Sequence, residues 1–497
     1  MNETLNGAMS DAQFTAWLRN PSARRLVLIE VAVYSGGQER TRFLSTGAYV
    51  TAPDDTPPNL AYQSIVSTGM QFTEQLSLDG EASLSAGDIE IHNPSGIRDA
   101  WLDDVWMNRP IRAWIGDPRW LRGDFRMIFN GVVADIAPKG RDRLALKLRD
   151  KLQRLNTPVS EAKLGGATPN KDAVLPLAFG EVHNITPLLA DPALLQYQVH
   201  DGAIQGIIEV RDNGLPVRMA ADKARGTVIL AAPPAGTVTV TVQGDRPGAY
   251  ANTVAALVRR LATGYGKAGD RFADGDLDTA NLAAFDAAHP QAVGLFLAGR
   301  TNVLNACQML ASSLGAQLVM SRLGQLRLLQ ISLPPAGSPT QVGPQHMVAG
   351  SLTPVSRSAP MASVKLGFCK NWTVQTGLLT GIPVQHKDLF ETEWLTATLA
   401  DSAIQAAYRL DAEPLQQDTM LLRRVDAEAE AQRRLAIGRV PRMVYEFDGT
   451  AEMLALELGQ AVTVTHPRFG MENGVAGQVV SLAPDWLTGH VKVGFVV

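Results

Sequence analysis

From Met443 onward, apolar and polar side chains alternate with a period of two in four short runs: Met443 to Phe447, Ala461 to Thr465, Gln478 to Leu482 and Val491 to Val497. Successive side chains of a strand point to opposite faces, so each run commits one face to a core and the other outward. A charged helical run from Val425 to Arg439 and then Pro441 precede them. The stretch therefore reads as a helix feeding a small antiparallel barrel or sandwich. No catalytic motif interrupts it, which favours an assembly part over an enzyme.

The remaining texture extends this pattern. Strands are expected at Leu26 to Val33 and Arg40 to Leu44 across a Ser35-Gly36-Gly37 turn, at Ile65 to Leu76, Asp88 to His92, Ile111 to Ile115 and Arg126 to Ile136, and from Leu144, where a strand turns into a short helix ending at Leu155. Ala52 to Asn59 is a proline-rich loop, and Gly165, Gly166, Pro169 and Asn170 mark a linker. Beyond it come an apolar stretch from Val174 to Ile185, strands at Gln196 to Val199 and Gly206 to Val210, and a tight turn at Asn213-Gly214, where positive φ is tolerated. A second strand pair, Thr227 to Leu230 and Thr237 to Gln243, flanks Pro233-Pro234-Ala235-Gly236. Amphipathic helices follow at Thr253 to Thr263 and Val303 to Leu314, the latter stopped by Gly315, and then a hairpin turning at Leu323-Gly324. Pro334 to Pro344 reads as a linker, and Ser363 to Val374 opens the last region. Whether Ser363 to Val374 joins the terminal barrel is left open.

At 497 residues, and with about 100–200 residues per domain, several domains are expected. The division is an arm at 1–21, a β domain at 22–160, a small β domain at 165–248, an α/β helix-hairpin domain at 249–335 and a second β domain with its preceding helix at 336–497. The fold class is mainly β with α/β insertions. On the arm, Phe14, Trp17 and Leu18 share one helical face, which suits packing on the core or docking on a neighbour.

Hydrophobic residues make up 45% and charged residues 19%, a globular balance. With 45 Lys plus Arg against 49 Asp plus Glu, no overall basic field draws in nucleic acid or anionic lipid. Residues 385–497 carry 10 basic and 16 acidic side chains, so the acidity lies at the end of the chain. Cys307 and Cys369 lack CxxC spacing, which argues for two buried reduced thiols rather than a disulfide or zinc site. The first twenty residues lack a basic then apolar export signal, and no apolar run approaches the ~20 residues of a membrane span.

Each cluster with chemical potential has a structural counter-reading that outweighs it. Gly264, Gly266 and Gly269 match GxGxxG, but a helix precedes them where a dinucleotide site needs a strand. Asp274, Asp276 and Asp278 alternate like calcium ligands, yet Thr279 and Phe285 stand where that loop needs glycine and glutamate. Asp103 and Asp104, between Trp101 and Trp106, are adjacent and point apart, unlike a glycosidase pair. His183, His200 and Asp191 make a metal site only if the fold brings them together. The basic run from Lys139 to Arg154, including Arg141, Arg143, Lys147, Arg149 and Lys151, is interleaved with Asp142 and Asp150 and suits a solvated or intersubunit face. No catalytic, cofactor-binding or metal-ligating residue is assigned.

Four stretches resemble the central hub proteins of tailed-bacteriophage baseplates, of the siphophage kind. They are Leu177 to Val210 with Phe179-Gly180-Glu181-Val182, leading to Asn213-Gly214; Gly226 to Gly244; the helix and hairpin from Val303 to Ile331; and Ala427-Glu428-Ala429-Glu430-Ala431 through Leu458-Gly459-Gln460-Ala461-Val462-Thr463-Val464 to the terminal strands. The resemblance implies two tube-like β domains, 22–160 and 336–497, in each subunit of a homotrimer, so that three chains present a six-fold-like ring to the hexameric tail tube. It implies a place at the distal end of the virion tail, after synthesis in the host cytoplasm. The partners implied are a distal tail protein, the tail tube or tape-measure protein, and tail-tip or central fibre proteins. DNA would pass through the ring without specific binding, past an acidic wall. The alternatives are a tail-tip cell-wall hydrolase and a host-glycan-binding module using Trp101, Trp106, Trp114 and Trp120.

Overall fold

The structure, a computed structural model, describes residues 9–67, 72–77, 83–410 and 413–497. It is mainly β, with several sheets and, among the described residues, seven α-helices. The first large sheet runs in the order Tyr49–Val50, Ala61–Ser64, Gln38–Ser45, Leu26–Ser35, Pro110–Gly116, Arg126–Pro138, Arg143–Arg149, Ile89–His92. Leu26–Ser35 and Gln38–Ser45 form the expected hairpin, because Gly36 and Gly37 both take positive φ in its turn. The last large sheet runs Thr340–Val342, Ala461–Val464, Val475–Asp485, His490–Val496, Met443–Gly449, Thr353–Arg357. Both orders are open, so the architecture is sandwich-like, with no closed barrel among the described residues.

The two ends of the chain meet in one ladder. Val475–Asp485 extends past the end of Ala461–Val464, and Phe72–Gln75 from the first region fills the vacated edge, pairing Gln75 with Ser481 and Glu74 with Leu482. Phe72–Gln75 in turn pairs with Ser83–Ala86. The apolar run from Ile65 to Leu76 therefore does not form one strand. Within it, Val66 bridges Ile91 in the first sheet, Phe72–Gln75 belongs to the last sheet, and residues 68–71 lie outside the described residues. A single apolar core follows, in which Val27, Ile29, Ile111 and Leu146 pack in continuity with Phe447, Val479, Val493 and Phe495. The helix Asp11–Arg19, capped by Ser10, lays Leu18, Phe14 and Trp17 on this core, so the arm docks on its own chain. Residues 1–8 of the expected arm lie outside the described residues.

The chain between the strands of the two large sheets forms a second body with its own core. Leu177–Ile185 pairs with Val238–Asp245 on one side and Gly294–Leu297 on the other, and Ile204–Asp212 turns at Asn213-Gly214, both of positive φ, into Leu215–Pro216. Thr227–Leu230 does not pair with Val238–Asp245; it joins Gln196–Gln198 and Met219–Asp222 in a separate four-stranded sheet. Asp212 is the physical reason. Its carboxylate accepts from the Ala235 and Gly236 amides at 2.5 and 2.8 Å and ties the proline turn to the neighbouring strand. Helices Val254–Gly264 and Val303–Ser312 and the hairpin Ala316–Met320/Leu326–Gln330 enclose a third core.

In the last region one reading changes and one open question is answered. Pro334 to Pro344 contains the strand Thr340–Val342, parallel to Ala461–Val464. Ser363–Phe368 joins Leu395–Ala400 and Gln416–Asp418 in a three-stranded sheet, apart from the terminal sheet. Helix Arg424–Gly438 covers one face of that sheet through Ala431 against Val364 and Leu366.

Phe72 is buried, with its ring 5.8 Å from Phe129 of the first sheet, so Phe72→Ala should cost about 3–5 kcal/mol. Because the core is shared, urea unfolding followed by fluorescence and by far-ultraviolet dichroism should give one common transition at a lower midpoint. A midpoint unchanged by the substitution would contradict the place of Phe72 in the shared core.

Candidate assembly interface

The residues singled out for chemistry are dispersed or already engaged. Gly264 ends a helix and Gly266 follows it at φ +80°, packed on Thr157 and Val303, so no phosphate cradle forms. Asp274 pairs with Arg259, Asp276 with Lys151 at 2.8 Å and Arg154 at 3.5 Å, and Asp278 caps helix Thr279–Ala288 while binding Arg327 at 2.6 Å. Three carboxylates thus serve three separate junctions. Asp104 binds Arg42 at 3.0 Å, while Asp103 is exposed at the end of a short helix. Trp101, Trp106 and Trp114 are buried, and the Trp120 ring packs tilted against that of Trp17 with centroids 4.7 Å apart, so their faces do not form a sugar platform. His183 lies beside Glu181, Asp191 accepts turn amides from Ala193 and Leu194, and His200 is fully buried elsewhere. Among the described residues no group of three or more His, Cys, Asp or Glu is placed to hold a metal ion. No helix among them is long and apolar enough to cross a membrane. Burial pushes the Cys307 thiol up to about 12 and the Cys369 thiol to about 11, which makes both poor nucleophiles.

The basic run divides. Lys139 and Arg143 pair with Glu90 on the outside of the first sheet, whereas Lys151 and Arg154 reach Asp276 and fasten that sheet to the helical body. A further fastening, missed from the sequence, is built on helix Arg424–Gly438. Glu430 is buried and accepts from Arg433 Nε at 2.8 Å and Arg434 Nε at 2.6 Å. The two guanidiniums extend to the end of helix Val303–Ser312. Arg434 donates to the Ser312 carbonyl at 2.7 Å, and Arg433 to the carbonyls of Leu314 at 3.3 Å and Ile331 at 3.2 Å. Carbonyls at a helix C-terminus lack intrahelical partners and carry partial negative charge, so two cations satisfy them. Gly315, at φ +58°, makes room: a Cβ there would stand 2.3 Å from Arg433 Nη2. Burial raises the Glu430 carboxyl, but the two arginines more than offset it and hold it below the ordinary range. The signal was the i, i+3 and i, i+4 acid-base spacing, which sequence cannot distinguish from a solvated face.

Two more buried carboxylates mark junctions. Glu74, on the strand shared between the two ends, accepts from the Arg322 amide at 3.1 Å in a cleft lined by Arg327 and Glu457. Burial drives its pKa up, against the pull of Arg322. Asp245 accepts from Arg260 Nε at 2.6 Å and Tyr265 Oη at 2.8 Å, with His200 Nε2 at 3.4 Å. His200 Nδ1 accepts the Ala178 amide, which directs its proton-bearing Nε2 towards Asp245. Burial opposes ionisation of Asp245, but these donors dominate and hold it at about 2.

Exposed apolar side chains and an outer strand lie elsewhere on the surface. Tyr34 and Val105 exchange backbone hydrogen bonds of 3.0 and 2.9 Å and are exposed, as are neighbouring Leu102 and Met107. Thr353–Arg357 is an outer strand of the last sheet with every residue exposed.

Glu430→Ala should destabilise the chain by about 3–5 kcal/mol, because it strands two partly buried arginines, and should loosen Ser312 to Gly315 in hydrogen exchange. A loss under 1 kcal/mol in denaturant titration would reject the clamp. For Asp245 the folded pKa is depressed, so its stabilisation is present above the unfolded value near ~4 and is lost as pH falls through about 2. Asp245→Asn should therefore flatten the acid limb of the stability profile between those values; an unchanged limb would count against the network.

No family model matches the sequence, and no curated protein matches it. Among solved structures the chain is similar to the 43 kDa tail protein of prophage MuSo2 from Shewanella oneidensis, at 13% identity over 95% of this chain and 98% of that chain, with a TM-score of 0.38. It is similar to a chain in the virion of a native gene transfer agent particle at 15% identity over 70% of this chain and 91% of that one, with a TM-score of 0.42. It is also similar to a tail protein from Neisseria meningitidis MC58, at 10% identity over 94% and 96%, with a TM-score of 0.36.

Proposed function

We propose that this chain is a structural subunit of a bacteriophage tail, acting as the hub of the baseplate. Three copies form a ring that joins the tail tube to the tail tip and surrounds the DNA path. The observation that carries the reading is the pair of eight-stranded sheets drawn from opposite ends of one chain and fused through one core. Three such chains supply six large sheets, the number a hexameric tube offers as partners, and head-to-tail contacts close a ring when the rotation closes. The four resembling stretches support the same role, and so does the engagement of Asp104, Asp276 and Asp278 in ion pairs between elements. On this reading the partners are a distal tail protein, tail tube or tape-measure protein, and tail-tip or central fibre proteins, and the subunit is not an enzyme.

The purified full chain should show a mass that is a multiple of three copies by analytical ultracentrifugation, and antibodies against it should label the distal tip of virions. A chain that stays monomeric at every concentration and is absent from virions would overturn the proposal. Incubation with purified peptidoglycan should release nothing; release abolished by Asp103→Asn with Asp104→Asn would establish the hydrolase reading instead.

A further inference from the structure

Leu395–Ala400 is an outer strand of the three-stranded sheet, and its sequence, Leu-Thr-Ala-Thr-Leu-Ala, contains neither charge nor proline. Other exposed edges are guarded. Thr353–Arg357 carries Pro354 and Arg357, Met219–Asp222 ends in a carboxylate, and Gln416–Asp418 is three residues long. Proline, charge and shortness keep a strand edge from adding a foreign strand. Leu395–Ala400 uses none of them.

Its backbone direction follows from the register. Leu395, Ala397 and Leu399 stand opposite Phe368, Leu366 and Val364, and the Asp401 amide donates to the Ala362 carbonyl at 2.8 Å in the same phase. Gly367 is turned the other way, its carbonyl accepting from Thr419 at 3.0 Å. In an antiparallel pair only alternate residues exchange bonds with the neighbour. The amides and carbonyls of Thr396, Thr398 and Ala400 therefore face away from the sheet, and all three residues are exposed.

Leu395 to Leu399 also reads the same in both directions about Ala397. Two copies laid antiparallel on a two-fold axis at Ala397 place Thr396 opposite the partner's Thr398, where both backbone bonds are exchanged, and repeat this at Thr398 and the partner's Thr396. Leu395 then faces the partner's Leu399 on the helix-covered side, where each is half-buried in the single chain. Like meets like at every position, and the open edge is consumed.

We propose that two copies of this chain pair through Leu395–Ala400 in antiparallel register centred on Ala397, giving one six-stranded sheet across a two-fold axis. The pairing does not depend on the three-fold ring.

The test is the mass of the full chain across a concentration series in analytical ultracentrifugation. Thr396→Lys combined with Thr398→Lys sets like charges opposite each other and should lower the mass two-fold, as should Thr396→Glu with Thr398→Glu. An equimolar mixture of the two variants should restore the wild-type mass, which a folding defect would not do. A mass unchanged by the substitutions, or not restored on mixing, overturns the pairing. The ring is judged separately: three copies insensitive to the substitutions refute the pairing and keep the ring, whereas two copies falling to one keep the pairing and refute the ring.

Discussion

Val475–Asp485 spans eleven residues and its neighbour Ala461–Val464 only four, so beyond the shorter strand a row of backbone amides and carbonyls needs partners. A buried backbone group without a partner costs as much as a lost hydrogen bond, and an open edge invites foreign strands. Phe72–Gln75, from the other end of the chain, supplies the ladder. Much follows from that one pairing. It brings Phe72 against Phe129 and merges the cores of the first and last sheets. It also carries Glu74 to the place where the first region, the hairpin turn at Arg322 and the loop at Glu457 converge.

The polar junctions work differently from the core. Burying an ion pair gains little over packing apolar groups of the same shape, because desolvation consumes most of the Coulombic attraction. Removing one member is nevertheless costly, and the geometry of the other members is demanding. Glu430, Arg433 and Arg434 thus fix where helix Arg424–Gly438 sits against the end of helix Val303–Ser312, more than they add net stability. Asp245, Arg260 and Tyr265 similarly fix helix Val254–Gly264 against the strand Val238–Asp245. Apolar burial holds the bodies together, and charged hydrogen bonds set their register.

Local chemistry was legible where a few neighbouring residues decide the outcome. Gly36-Gly37 and Asn213-Gly214 turn hairpins because positive φ is inexpensive there, and the apolar stripe of Val303 to Leu314 ends at Gly315 for the same reason. Partnership was not legible. Thr227–Leu230 and Val238–Asp245 look like a hairpin across a proline turn, yet a carboxylate twenty-three residues before Ala235 ties that turn to another strand. Trp101 and Trp106 read from the sequence as packed tryptophans more than as a sugar platform, and both are buried. Asp274, Asp276 and Asp278 alternate as ligands do, but each finds a different arginine or lysine.

The sequence by itself determined the mainly β class, the positions of most strands and helices and the absence of a motif for nucleophilic or metal chemistry, since periodicity and turn residues act within a few positions of the chain. Tertiary structure alone decided that Phe72–Gln75 belongs to the last sheet, that Ser363–Phe368 does not, and that Glu430 is buried beneath two arginines. Those outcomes depend on which backbone edges and charges remain unsatisfied once distant segments have packed, and no local pattern records that.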